Sequence, residues 1–198
     1  MAGGGAPVLA RRCFGRYNRG MCAAIDSQVI DRDGYRKNVG IIVCNNRSQV
    51  LWARRVRRDG WQFPQGGVKP HEAAVDAAFR ELQEEIGLRA RDVCLLGATD
   101  RWLRYEVPGM ARDYRRRNAF RGQKQRWFLF KLIGDESSVR LDASVAPEFD
   151  QWRWIDYWGP LHYIVEFKKP VYRAALRELE PLLPAFATGR RVGAVVKL

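Results

Sequence analysis

The stretch that decides the fold runs Gly66-Gly67-Val68-Lys69-Pro70-His71-Glu72, continues through seven residues, and closes as Arg80-Glu81-Leu82-Gln83-Glu84-Glu85-Ile86-Gly87-Leu88. Residues 72–86 read as a helix, and Gly87 suits its C-terminal cap. On a helical wheel Glu81, Glu84 and Glu85 fall on one face spanning about 100°. Like charges that close repel one another by several tenths of a kcal/mol or more. A purely structural helix gains nothing from the arrangement. A divalent cation turns it into a site, because hard cations take carboxylate oxygens. Val75, Phe79, Leu82 and Ile86 form an apolar stripe about 130° away, the face expected to enter the core. Ala74, Ala77 and Ala78 fall on the carboxylate side, where small residues are expected to leave room for a substrate. Residues 64–70 read as a loop whose glycines let backbone groups approach a metal and phosphates.

Working outward, residues 39–44 are a short apolar run that suits a buried strand, and 45–48 form a turn. Residues 50–54 complete a hairpin, 57–60 turn again, and 61–63 are extended. Further strands are expected at 93–98, 102–105, 127–132 and 149–154. Between two of these lies a long basic loop, 108–122, with Arg112 and Arg115 to Arg117. Pro170 opens a second helix of about 15 residues at most, stopped by Pro181 and Pro184. Strands flanking two helices indicate an α/β sandwich. Residues 29–183 form the domain, and 184–198 are a basic tail. Residues 1–28 read as a basic, disordered extension. They lack the apolar stretch of a secretory signal. Alternative readings are an organelle transit peptide or a true start at Met21.

The chain has 198 residues, 46% of them hydrophobic, and 35 Lys and Arg against 22 Asp and Glu, for a net charge of +13. That length suits one domain with a full core. No run of about 18 apolar residues suggests a membrane span. The basic balance favours polyanionic partners. Cys13, Cys22, Cys44 and Cys94 form no CxxC pair, which points to a reduced, cytoplasmic chain without a disulfide framework. Cys44 reads as a small buried hydrophobe. His71 and His162 are the only histidines, too few for histidine-based metal chemistry.

The full spacing, from Gly66 through Glu72 and Arg80-Glu81-Leu82 to Glu84-Glu85 and Gly87-Leu88, matches the Nudix box at every defining position. The chain therefore resembles the Nudix hydrolases. The resemblance implies an α/β Nudix fold, a mixed β-sheet sandwiched between helices. It also implies an enzyme that cleaves phosphoanhydride bonds with a divalent metal, Mg²⁺ first, with Mn²⁺ and Zn²⁺ as alternatives. Glu81, Glu84 and Glu85 become metal ligands, and Arg80 orients them by charge-assisted hydrogen bonds. Gly66, Gly67, Glu72, Leu82 and Gly87 become structural members of the box. Glu72 is expected to support the loop–helix geometry or a metal-bound water.

The likeness extends beyond the box. Gly34-Tyr35-Arg36-Lys37-Asn38-Val39-Gly40, Trp52-Ala53-Arg54-Arg55, Trp61-Gln62-Phe63-Pro64-Gln65, Gly122-Gln123-Lys124-Gln125-Arg126-Trp127-Phe128, Pro147-Glu148-Phe149-Asp150 and Trp152-Arg153-Trp154 stand in order. Together they resemble the branch of the family that removes pyrophosphate from 5′-triphosphorylated RNA and so initiates mRNA decay. Glu148 then joins the site as a metal ligand or base, with Glu85 as the alternative base. Arg36 faces the 5′ phosphates, Arg55 and Phe167 enclose a base, and Lys168 reaches the backbone. The expected partner is the 5′ end of single-stranded RNA, with nucleotide or dinucleotide polyphosphates as further substrates. The rival within the family is a diadenosine polyphosphate hydrolase. Outside the enzyme class stand a non-catalytic nucleotide-binding regulator and a structural RNA-binding protein. Trp127, Trp152 and Trp154 sit in strand-like runs and are read as core.

Overall fold

Alternating side chains on two long strands sort the core into two layers. The computed structural model describes residues 30–56, 60–108 and 121–184. Its strands are β1 (Tyr35–Cys44), β2 (Val50–Arg55), β3 (Trp61–Gln62), β4 (Gln65–Gly67), β5 (Val93–Ala98), β6 (Leu103–Glu106), β7 (Gly122–Leu132) and β8 (Phe149–Ile155). Its helices are α1 (Ala74–Ile86), α2 (Pro160–Tyr163) and α3 (Lys169–Leu179). The strands join one mixed sheet with the central order β3-β2-β1-β7-β5. β1 and β7 run parallel from Tyr35↔Gly122 to Cys44↔Lys131. β4 pairs with β1, β6 with β7, and β8 with β2, all antiparallel.

On one face Val39, Ile41 and Val43 meet Phe128, Phe130 and Leu132, and α1 covers them with Leu82 and Ile86. On the other face Ile42, Cys44, Trp127 and Leu129 lie under Val171, Tyr172, Ala175, Leu176 and Leu179, from α3 and its start. Strands buried on both faces read as continuous apolar runs, which is why residues 39–44 show no clean alternation in sequence. The expected α/β fold, a mixed sheet between helices, is the one observed. Trp127 is fully buried, while Trp152 and Trp154 pack half-buried against the α1 layer. Burial pushes the Cys44 thiol up to about 11.

Several expectations need correction. The loop expected at 64–70 contains a strand: Gln65, Gly66 and Gly67 pair with Gly40, Val39 and Asn38. The first half of β1 needs a partner on that side, and sheet pairing overrides the weak strand preference of glycine. α1 begins at Ala74, so Glu72 lies in the preceding turn rather than on the helix. Ala77 and Ala78 are fully buried core residues, not an open flank. Their small size lets α1 settle closely on the sheet. β7 starts at Gly122, five residues before the expected position, because its polar first half pairs with both β1 and β6. Helix α2, a single turn opened by Pro160, has no counterpart among the expected elements. Residues 1–28, most of the turn at 57–60, the basic loop through 109–120 and the tail after Pro184 lie outside the described residues.

Gly40 makes a close cross-strand contact in the core. A Cβ there would fall 2.5 Å from two atoms of the buried Trp127 ring. Gly40→Ala is therefore expected to destabilise the domain by about 1–3 kcal/mol through overpacking. The urea midpoint measures this, and an unchanged midpoint would show that the Trp127 ring yields freely.

Candidate active site

The site forms where α1, the start of β1, strand β4 and the residues just before β8 converge. A cavity of about 900 Å³ opens there. Glu81, Glu84 and Glu85 line it from α1, and Glu148 lines it from the approach to β8. Arg36 on β1 and Arg55 on β2 also face it, as do Phe167 and Lys168 in the turn before α3. Gly66, Gly67 and Arg80 complete the near wall. Residues scattered over more than 130 positions in sequence thus share one space. Leu82 is in the core instead, and Gly87 closes α1 in the left-handed conformation, its N–H bonded to the Gln83 carbonyl. Neither lines the cavity.

Arg80 is the organising cation. Its Nε donates to Glu72 Oε1 at 2.8 Å, and its Nη2 donates to Glu72 Oε2 at 3.0 Å and the Gly67 carbonyl at 2.7 Å. Its Nη1 donates to Glu81 Oε1 at 2.5 Å and Glu84 Oε2 at 3.1 Å. The Arg80 hydrogen bonds hold the Glu72 carboxyl below its ordinary range. Glu72 also accepts from the Lys69 N–H at 2.8 Å and so ties the glycine turn to the helix. Of the two roles expected of Glu72, loop–helix support or holding a metal-bound water, these bonds are of the first kind.

The glycines are required by contact. A Cβ on Gly66 would fall 1.8 Å from Glu81 Cδ, and one on Gly67 would fall 3.0 Å from Arg36 Nη2. Strand β4 therefore passes directly over the carboxylates. Its Gln65 N–H donates to Glu85 Oε2 at 2.9 Å. Burial raises the Glu81 pKa. Burial also raises Glu85 well above the usual carboxylate range, and the neighbouring Glu81 and Glu148 charges add to the effect. Protonation is thus favoured where the carboxylates crowd, as it is in any site short of positive charge.

Glu148 is held differently. A register shift between Arg54 and Arg55 in the β2–β8 pairing brings Arg55 alongside the end of β8. Arg55 Nη2 then reaches Glu148 Oε1 at 3.0 Å, and the Val56 N–H bonds the Glu148 carbonyl at 3.0 Å. Among the described residues no three acidic side chains already close around one point. The donor set nevertheless fits a hard divalent cation. Four carboxylates line one cavity, two of them, Glu84 and Glu148, exposed, and burial, with the neighbouring acids adding to it, raises Glu85 toward the uncharged form.

The opposite wall is aromatic and basic. The Phe167 ring lies 5.7 Å from that of Tyr105, and Lys168 Nζ sits 5.7 Å from the Tyr105 ring centre. Lys168 also reaches Gln62 Oε1 at 3.4 Å. Tyr105 and Gln65 were not among the expected site residues. Tyr105 sits on β6, and only the β6–β7 pairing carries it to the cavity, so no local signal marks it. Gln65 acts through its backbone N–H, which any residue would supply.

Residues 34–175 match the model of the NUDIX domain family. The chain is 54% identical over 169 residues to an RNA pyrophosphohydrolase of Stenotrophomonas maltophilia, covering 85% of this chain and 82% of that protein. It is also 54% identical over 158 residues to an RNA pyrophosphohydrolase of Halorhodospira halophila, covering 79% of this chain and 86% of the relative. In fold it resembles an Ap4A hydrolase of C. elegans, with TM-score 0.55 and 20% identity over 76% of this chain and 98% of the other. The E. coli dihydroneopterin triphosphate pyrophosphohydrolase gives TM-score 0.55 and 20% identity, covering 74% and 94%.

Because Arg80 serves four acceptors, Arg80→Lys should lower stability by about 1–3 kcal/mol. A lysine ammonium carries the charge but lacks the planar fork of donors. Urea unfolding of the two proteins side by side checks this, and coincident curves would remove Arg80 from its organising role.

Proposed function

This chain belongs to the Nudix family, and on that premise we propose that it is an RNA pyrophosphohydrolase converting 5′-triphosphorylated RNA to 5′-monophosphorylated RNA. The observation that carries the reading is that one cavity joins four carboxylates to Phe167 and Lys168, with Arg55 against Glu148. The relatives named RNA pyrophosphohydrolase support the same substrate. Nudix hydrolases work with divalent metal ions, and Mg²⁺ is our assignment here, held by Glu81, Glu84, Glu85 and Glu148. The bound ion would neutralise phosphate charge and lower the pKa of water.

The chain's own groups do the rest. Arg36 binds the phosphates of the 5′ end. Arg55 and Phe167 enclose a base, using the ring and guanidinium faces on which single-stranded bases stack. Lys168 meets the backbone phosphate. Arg80 keeps Glu81 and Glu84 in place without touching substrate. Water attacks a phosphorus of the triphosphate, the phosphoanhydride P–O bond breaks, and the water's proton passes to Glu85 or Glu148. Initiation of mRNA decay, in the cytoplasm, is the corresponding cellular role. Among the described residues no helix is long and apolar enough to cross a membrane.

Hydrolysis should require Mg²⁺ or Mn²⁺ and stop with chelator. Glu84→Gln and Glu85→Gln keep side-chain size and remove charge, and each should lower turnover on the order of a hundredfold or more. Near-normal turnover in both would sink the metal assignment. Phe167→Ala should slow triphosphorylated RNA more than a nucleoside triphosphate, by the roughly 1–3 kcal/mol that base stacking contributes. The decisive measurement is kcat/KM on single-stranded triphosphorylated RNA, on the same RNA with a paired 5′ end, and on diadenosine polyphosphate. The single-stranded RNA should be preferred, since a paired base must unpair to enter the cleft. A preference for the dinucleotide would transfer the assignment to the rival activity.

A further inference from the structure

A second cavity, of about 560 Å³, lies beside the first and includes Gln49, Arg153, Asp156, Trp158 and His162 in its lining. Tyr163 lines both, so the two spaces meet at its ring. The Arg153 guanidinium sits 5.5 Å from the centre of that ring and 4.5 Å from the centre of Trp61, which itself lines the first cavity. Trp61, Arg153 and Tyr163 thus form a continuous step of flat groups leading out of the catalytic cavity.

The step is open to ligands. Tyr163 is 59% exposed, and Arg153 is exposed as well. Among the described residues the Arg153 guanidinium lies against the Trp61 and Tyr163 rings and forms no ion pair with a carboxylate. Packing alone accounts for the contact with Trp61 but not for an exposed tyrosine stacked over an unpaired guanidinium. Alternating rings and guanidinium planes are the surface on which unstacked bases of single-stranded nucleic acid settle. Asp156 is the acidic member of the groove, so a base rather than a phosphate belongs beside it. Gln49 and His162 offer polar groups to base edges.

We propose that this groove receives the nucleotides downstream of the one held at Arg55 and Phe167, with one of their bases stacked on the Arg153–Tyr163 step. The proposal rests on the RNA reading of the first cavity.

The test compares a triphosphorylated dinucleotide with a triphosphorylated octanucleotide, using wild type, Arg153→Gln, Tyr163→Ala and Tyr163→Phe, each normalised to its own dinucleotide rate. Wild type should gain about fivefold or more in kcat/KM with length, as expected for one added stacking contact. Arg153→Gln and Tyr163→Ala should lose that gain, and Tyr163→Phe, which keeps the ring, should retain it. A 2-aminopurine base placed in turn at the third and fourth nucleotides should be quenched on binding to wild type and to Tyr163→Phe, and not to Tyr163→Ala. Thermal melts confirm that each variant is folded, and the quenching difference between Tyr163→Phe and Tyr163→Ala stands independently of Arg153→Gln. An equal length gain in all four proteins, or no quenching at either position with wild type, overturns the groove while leaving the RNA activity standing. Failure of wild type to hydrolyse either RNA overturns the RNA reading itself.

Discussion

Arg80 gathers groups that would otherwise push apart. Its guanidinium joins Glu72 in the turn, the Gly67 carbonyl on β4, and Glu81 and Glu84 on its own helix. Each attachment fixes a different part of the site. The bidentate bond to Glu72 sets the path of the glycine turn into α1. The bond to Gly67 brings β4 against the helix, and the bonds to Glu81 and Glu84 offset part of the repulsion along the helix face. Such charge-assisted bonds in a half-buried place are stronger than neutral ones and directional. The site is therefore built around one cation that does not leave and a cluster of acids only partly neutralised by it.

The glycines are a consequence of this arrangement. With Arg80 drawing β4 down, Gly66 stands so close to Glu81 that any Cβ would overlap its carboxylate. Because β4 also pairs with the first half of β1, the same contact carries Arg36 and Asn38 to the cavity edge. The two faces of the sheet then meet at one place. The α1 layer brings the acids, and the α3 side brings Phe167 and Lys168. A cavity with chemically opposite ends is the result of joining two layers at a sheet edge, and neither layer alone contains it.

How much of this was legible in the chain depends on the kind of signal. The acids of α1 announce themselves, because three carboxylates on one helix face are costly without a cation, and the spacing of the whole motif leaves few alternatives. Glu148, Arg36, Arg55, Phe167 and Lys168 were found through resemblance, and each lies at the cavity. Strand β4 was hidden, since a Gly-Gly stretch has no strand propensity of its own and pairs only because β1 offers an edge. Ala77 and Ala78 were misplaced because a helical wheel gives angles, not the distance at which the helix packs. Alanines flanking an apolar stripe read as free space until the sheet is known to press against them. Tyr105 and Gln65 carry no local mark at all: one arrives through strand pairing, the other contributes its backbone.

Charge explains why the two ends of the cavity must work together. A net charge of +13 draws polyanions toward the chain over distances of about a Debye length. Within the cavity an approaching triphosphate meets four carboxylates, which repel it unless a cation lies between. On the proposed reading, binding beside the carboxylates is conditional on the metal, whereas stacking at Phe167 and Arg55 needs no cation. The proteins of similar fold are named for different polyphosphate substrates, Ap4A and dihydroneopterin triphosphate, so the shared fold does not choose the substrate. A dinucleotide polyphosphate also carries a base and a phosphate chain, and one stacked base contributes only about 1–3 kcal/mol. Discrimination for RNA must then come from the nucleotides beyond that base, through their own bases and backbone phosphates and the protein groups that meet them. On the proposed reading the carboxylates set the reaction, and the aromatic and basic surface leading away from them sets the substrate.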